Sequence, residues 1–201
     1  GTEVFNGVLT YSDNSLSTGF PVDIGFPVDL AWVTYTSLAS GALWMHRLTG
    51  LTSNPQPGKG KLAPSGTTAE GNSGELWGGD NNTGYRIYGH SYQRICYGFK
   101  RAAGFMDMVS YSGTNGTISR NHNLGVAPEL MIFKRRDSTS AWTVLSELDG
   151  SSYSEMALNS TIDKSTRNYS ANQYLTAQPT ATVFAQAAGY DNASGGTYIA
   201  Y

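Results

Sequence analysis

The chain has little charge, almost no cysteine and no long hydrophobic run. Only 14% of its 201 residues are charged, the formal net charge is −2 and the pI is near 5.9. The basic surplus that neutralises nucleic-acid phosphates is missing, so we expect no nucleic-acid partner. The single cysteine, Cys96, cannot form an internal disulfide. No apolar run approaches the roughly 20 residues that a membrane-spanning helix needs, so we expect no membrane insertion.

Glycine and aromatic residues are plentiful instead. The chain contains 24 Gly and 13 Tyr, a composition typical of strands joined by tight turns. No stretch keeps an apolar period of 3.6 residues, although a short helical turn is allowed over residues 154–159. We therefore predict an all-β protein.

Many residues recur after an interval of 100 positions. We interpret this as an internal duplication that produces two tandem β-sandwich or jelly-roll-like units, at residues 1–100 and 101–201. The second unit ends in mid-strand, so we expect its C-terminus to be truncated or to continue into a longer chain. The recurring pairs are Phe5/Phe105, Tyr11/Tyr111, Ser12/Ser112, Gly25/Gly125, Leu30/Leu130, Leu48/Leu148, Gly50/Gly150 and Gly89/Gly189.

Corresponding strands are predicted in the two units. Alternation over residues 29–35 and the apolar run from Leu130 each follow a turn that contains Gly and Pro. The run from Leu130 is typical of a strand buried on both faces. A tryptophan-containing segment follows each strand and is predicted to be its hairpin partner. The basic run over residues 134–136 is predicted to be a solvated strand end.

Catalytic and metal-binding signatures are missing from the chain. Its three histidines do not recur between the units, and no zinc, nucleophile-elbow, phosphate-loop or EF-hand spacing occurs. The oxygen-rich loops at residues 78–84 and 191–196 contain one Asp each, fewer carboxylates than a tight calcium site uses. We therefore expect no enzyme activity, no catalytic residue, no cofactor and no metal.

Two places are candidates for ligand binding. His122 and Asn123 combine an imidazole with an amide that could hold a sugar or a carboxylate, although a strand-entry turn is the favoured interpretation of this segment. Trp77 and Asp80 lie in a Gly-rich segment, where an exposed indole beside a carboxylate would suit a saccharide.

The second unit also carries a recognisable set of motifs. They comprise a tyrosine-glycine opening, a His-Asn-Leu-Gly turn, a Pro-acid-apolar strand that ends in Lys-Arg, and a closing Gly-Thr-Tyr-apolar-Ala-Tyr strand. Together they resemble a repeat of virion structural proteins of tailed bacteriophages, especially marine ones. The first unit resembles a degenerate copy that has lost the His-Asn-Leu and Lys-Arg-Arg elements. The motifs occupy residues 110–113, 122–137, 142–144 and 192–201.

The resemblance implies a non-enzymatic phage structural protein at the virion surface, in a tail fibre or a capsid appendage. Such a protein would be assembled in the host cytoplasm, and its expected partners are other virion proteins, copies of itself and a glycan of the host surface. One alternative is a carbohydrate-binding module. Another is a glycan depolymerase or glycoside hydrolase, which would need two carboxylates across a cleft. The candidate acids are Asp23, Asp29, Asp80, Glu129 and Asp191.

Overall fold

A computed structural model describes residues 3–10, 20–36, 41–49, 58–73, 77–78, 82–87 and 93–201. The fold is all-β: the described residues form 18 strands and two short 3-10 helices, with no α-helix among them. The chain divides into two compact units. Unit 1 comprises the described residues up to Ser65 and Glu70–Arg101, and unit 2 comprises Gly66–Ala69 and Ala102–Tyr201.

Unit 1 contains a six-stranded sheet and a three-stranded sheet. The larger sheet has the order β1-β9-β3-β4-β5-β6, and the smaller one has the order β2-β8-β7. A 3-10 helix at Arg47–Thr49 follows β4. The strands are β1 Phe5–Thr10, β2 Phe20–Asp23, β3 Leu30–Tyr35, β4 Leu43–His46, β5 Gly58–Leu62, β6 Gly71–Ser73, β7 Trp77–Gly78, β8 Gly84–Ile87 and β9 Arg94–Phe99.

Unit 2 is built in the same way. Its six-stranded sheet has the order β10-β18-β12-β13-β14-β15, and its three-stranded sheet has the order β11-β17-β16. A 3-10 helix at Tyr190–Asn192 precedes the last strand. The strands are β10 Val109–Ser112, β11 Ile118–Asn121, β12 Leu130–Arg135, β13 Trp142–Ser146, β14 Ser152–Ala157, β15 Ser165–Asn168, β16 Leu175–Ala177, β17 Val183–Gln186 and β18 Thr197–Ala200.

The hairpin prediction holds in both units. β3 pairs with β4 so that Trp32 lies opposite Trp44, and β12 pairs with β13 so that Lys134 lies opposite Trp142. The turns before β3 and β12 contain Gly25 and Gly125, whose φ angles of 91° and 76° strain any residue with a side chain. Glycine is therefore required at these two turns.

Each unit is a β-sandwich whose core receives side chains from both of its sheets. In unit 1, Val33 and Cys96 of the large sheet pack in one cluster with Tyr85 of the small sheet. In unit 2, Phe133 and Tyr198 of the large sheet pack with Phe184 of the small sheet. Cys96 is fully buried, as expected of a small hydrophobic residue in a core strand.

Three local predictions are wrong. Residues 154–157 belong to β14, so the helical turn is absent there. Leu130 is exposed, which shows that β12 is not buried on both faces. Lys134 is fully buried rather than solvated, because its side chain lies over Trp142 and its ammonium donates to the backbone carbonyls of Ser140 (2.8 Å) and Thr67 (3.1 Å).

Candidate functional site

Of the two predicted ligand-binding places, the structure describes the one at His122 and Asn123 fully and the one at Trp77 and Asp80 only in part. Trp77 lies in β7, and its backbone pairs with Ile87 of β8, but its side chain is outside the described part of the chain. Asp80 is also outside the described residues. The Trp77 and Asp80 hypothesis therefore stays a prediction.

His122 and Asn123 form part of a turn that the backbone holds in place. The Leu124 N–H donates to Nδ1 of His122 at 3.2 Å, which leaves the ring proton on Nε2 to donate to the Thr180 carbonyl, also at 3.2 Å. The imidazole is buried and stacks on Phe184 with ring centroids 6.4 Å apart. Because both ring nitrogens have backbone partners, these contacts favour the strand-entry turn over a ligand-binding imidazole. The exposed Asn123 uses its backbone N–H to bind Asp107 at 2.7 Å.

A row of aromatic side chains crosses the large sheet of unit 1 on the face opposite its core. We call it the aromatic face. Ring centroids lie 4.9 Å apart for Phe5 and Phe99, 6.0 Å for Trp32 and Tyr97, and 5.5 Å for Trp32 and Trp44. The strand register brings these residues together, because Phe5 is opposite Phe99 and Trp32 is opposite both Tyr97 and Trp44.

The aromatic face is partly open to solvent. Phe5 is 47% exposed and Trp32 is 37% exposed, whereas Trp44 is buried. The Tyr97 ring also lies over Gly7, where a Cβ would come within 3.0 Å of it. Large exposed apolar patches on soluble proteins often mark interaction sites. Trp32 is therefore not a core residue, although it lies in a central strand of the sheet.

A second aromatic group lies in unit 2, and none of its members was a candidate in the sequence. We call Tyr174, Tyr190, Glu155 and Arg167 the tyrosine site. The rings of Tyr174 and Tyr190 have centroids 4.5 Å apart, and the Tyr190 side chain is largely exposed. Arg167 donates to Oε2 of Glu155 from Nε (3.3 Å) and from Nη2 (3.0 Å), while the Tyr174 hydroxyl contacts Oε1 at 3.4 Å.

Burial and ion pairing shift the pKa values of two groups in the tyrosine site. Burial, and then the charge of Glu155, raise the pKa of the Tyr174 phenol far above its usual value, so the hydroxyl stays a donor at neutral pH. The hydrogen bonds from Arg167 to Glu155 raise the pKa of the guanidinium further. The site thus combines two rings with one neutralised ion pair. Its members come from β14, β15, the bend before β16 and the 3-10 helix at Tyr190–Asn192, and no local sequence motif joins them.

Hydrogen bonds hold the segment that carries Tyr190, the 3-10 helix at Tyr190–Asn192, which we call the Tyr190 turn. The Asp191 carbonyl accepts from the Tyr111 hydroxyl at 2.9 Å, and the Asn192 side chain donates to the carbonyls of Gly116 (2.7 Å) and Ala187 (3.0 Å). Both Asp191 and Asn192 are buried. These bonds hold the turn so that the Tyr190 ring points outward on a fixed backbone.

The Asp191 carboxyl is a buried group of unit 2. The Thr143 hydroxyl is its hydrogen-bond partner, and its Oδ2 is without one. Burial raises the pKa of Asp191 to about 6, and burial lowers the pKa of the Lys134 ammonium to about 8. Desolvation by burial is the main cause of both pKa shifts, so the shifts reflect the packing of unit 2 around these two groups.

Two other candidate acids of the hydrolase alternative have structural contacts. Asp23 accepts from the Gly25 N–H at 3.0 Å and shapes the turn before β3. Asp29 accepts from the Arg101 N–H at 2.8 Å and forms an ion pair with Arg47 at 3.3 Å.

Within the described residues, no group of three or more His, Cys, Asp or Glu side chains could hold a metal ion. No helix of this part of the chain has the length and hydrophobicity to cross a membrane.

The architecture and the two aromatic groups define a two-unit β-sandwich protein with exposed aromatic surfaces. Residues 97–201 match the family DUF7483, described as a domain of unknown function. Since this match covers more than half of the chain, the protein belongs to that family. No curated protein and no solved structure matches the chain.

Proposed function

We propose that the protein is a non-enzymatic structural component of a tailed-phage virion, displayed at the virion surface in a tail fibre or a capsid appendage. The observation that carries this proposal is the aromatic face, on which Phe5 and Trp32 remain exposed on the outside of a six-stranded sheet. Burial of such a surface against another protein is the expected driving force for assembly. The partners are other virion proteins and copies of the chain, assembled in the host cytoplasm, and a host-surface glycan is contacted at the virion surface.

We also propose that the two units arose by duplication. The support is that subtracting nine from each strand label of unit 2 reproduces the strand order of both sheets of unit 1. A repeated sandwich adds length and surface without requiring a new fold, which suits a component that projects from a particle. The His122 turn and the buried Lys134 of unit 2 lack equivalents in the sequence of unit 1, so these residues specialise one copy.

Immunogold labelling of virions tests the virion assignment. An antibody raised against the full chain should label the tail or the capsid surface of purified particles, and labelling should disappear when the antibody is first absorbed with the purified protein. A protein found only in the non-virion fraction of the lysate would contradict the proposal.

The aromatic face should drive self-association. We expect the double variant Phe5→Ser and Trp32→Thr to weaken homo-oligomers by at least roughly tenfold in dissociation constant, because it removes two exposed rings from the interface. Sedimentation velocity of the full chain measures the effect. Ile162→Ser is the control, since Ile162 is 78% exposed but lies outside the aromatic face. A monomeric wild-type protein, or equal weakening by the control, would contradict the assembly role.

A further inference from the structure

We propose that the tyrosine site of unit 2 binds a neutral saccharide. This inference rests on the proposed function, for which it specifies the chemical class of host ligand and the residues that hold it. Tyr190 supplies a ring on which a sugar can place its C–H face. Glu155 and Arg167 supply acceptors and donors for its hydroxyls.

The exposed ring is the first part of the argument. Tyr190 is 54% exposed, and its ring contact within the described structure is with Tyr174, at 4.5 Å between centroids. The ring therefore contributes little to the core. Sugars bind proteins by stacking an apolar face on such rings while their hydroxyls form hydrogen bonds with polar neighbours.

The charge of the site selects the class of ligand. Arg167 and Glu155 neutralise each other, with two N–H donors on one carboxylate oxygen, and Tyr174 contacts the other oxygen. An organic cation would have to compete with the Arg167 guanidinium for the Glu155 carboxylate. An anion would be repelled by Glu155. Hydroxyl groups both donate and accept, so a neutral saccharide fits a site that offers both without net charge.

The backbone presents Tyr190 in a fixed position. Tyr190 has a φ of 35°, in the left-handed region that glycine and asparagine adopt far more readily than a bulky residue does. The buried Asp191 and Asn192 hold the turn in that conformation. Stability alone would favour Asn or Gly at this position, so the aromatic ring is kept at a conformational cost. A ring held in advance loses less entropy when a ligand binds.

Binding of the full chain to an array of neutral and anionic glycans tests the proposal, followed by a dissociation constant for the strongest neutral glycan. We expect wild type to bind neutral glycans. Tyr190→Asn should weaken binding by at least roughly tenfold, while its melting temperature is unchanged or higher because asparagine suits the backbone. Glu155→Gln should shift binding toward anionic glycans, because it leaves Arg167 without its countercharge.

Phe105→Ala is the matched control, since it removes an exposed aromatic ring of unit 2 outside the tyrosine site and should keep wild-type affinity. Two outcomes would overturn the proposal: no neutral glycan is bound by wild type, or binding survives in Tyr190→Asn. Virion labelling without glycan binding would refute the saccharide site and leave the virion assignment intact. Glycan binding by a protein that is missing from virions would refute the virion assignment and leave the saccharide site intact.

Discussion

Replacing Asp191 with Asn should raise the free energy of unfolding by about 3 kcal/mol at pH 8 and leave it nearly unchanged at pH 4. The cause is the desolvated carboxyl inside unit 2, whose pKa is raised from 3.8 to about 6. At pH 8 the folded protein must hold this carboxylate charged in the core, where its Oδ2 is without a hydrogen-bond partner. Asparagine has nearly the same shape and carries no charge to desolvate.

The sign of this pH dependence of stability follows from proton linkage. Because the pKa of Asp191 is higher in the folded state than in the unfolded chain, the folded state binds more protons between pH 4 and pH 6. The contribution of Asp191 to stability is thus fully present below pH 4 and is lost as the pH rises through 6. In Asp191→Asn this loss disappears.

Urea unfolding of wild type and variant at intervals from pH 4 to pH 8 measures the difference. Asp137→Asn is a control of opposite sign, because the hydrogen bonds from Arg135 and from the Thr197 N–H hold the pKa of Asp137 well below its usual value. The stability that Asp137 contributes is therefore present above pH 4, and Asp137→Asn should be less stable than wild type throughout the range from pH 4 to pH 8. A constant difference between wild type and Asp191→Asn across the whole range would show that Asp191 does not titrate as described.

The strands could be predicted from the sequence because their signals are local. Alternation predicts β3, and the turns at Gly25 and Gly125 mark the starts of β3 and β12. The hairpin partners were predicted from the tryptophan-containing segments at Trp44 and Trp142, each of which comes within a few residues of a short run of small residues after the preceding strand. Each of these signals depends on residues within a few positions of one another, and strand geometry turns them directly into structure.

The tyrosine site could not be predicted, because its parts meet only through non-local pairing. Glu155 and Arg167 lie on adjacent strands, whereas Tyr174 comes from the bend before β16 and Tyr190 from the 3-10 helix before β18. Lys134 was misjudged for the same reason. A lysine at a strand end is usually solvated, but here the Thr67 carbonyl, from a segment far away in sequence, binds its ammonium. Trp32 illustrates the converse, since it lies in a central strand while the sheet turns its side chain outward.

Gly113→Ala should lower the free energy of unfolding by about 3 kcal/mol, because the backbone of another segment occupies the space that a side chain would need. A Cβ on Gly113 would lie 2.1 Å from the Ala193 carbonyl oxygen and 2.9 Å from the carbonyl carbon of Asn192. Neither atom can move without disturbing the turn that Asn192 anchors. The cost is thus one of close approach rather than of backbone conformation.

Gly116→Ala is the matched control, since the nearest atom to its Cβ would be the Thr114 Oγ1 at 3.8 Å, and it should change stability by no more than about 0.5 kcal/mol. Urea unfolding at pH 7 compares the free energies of unfolding of the two variants with that of wild type. A Gly113→Ala variant as stable as Gly116→Ala would contradict the prediction, because it would show that the turn moves to make room for the side chain. Because the same turn holds Tyr190, we expect Gly113→Ala also to weaken glycan binding under conditions in which the protein remains folded. Gly113 closes the tyrosine-glycine motif at residues 110–113, and its tight packing gives that motif a structural reason: it allows the turn that carries Tyr190 to lie against the end of β10.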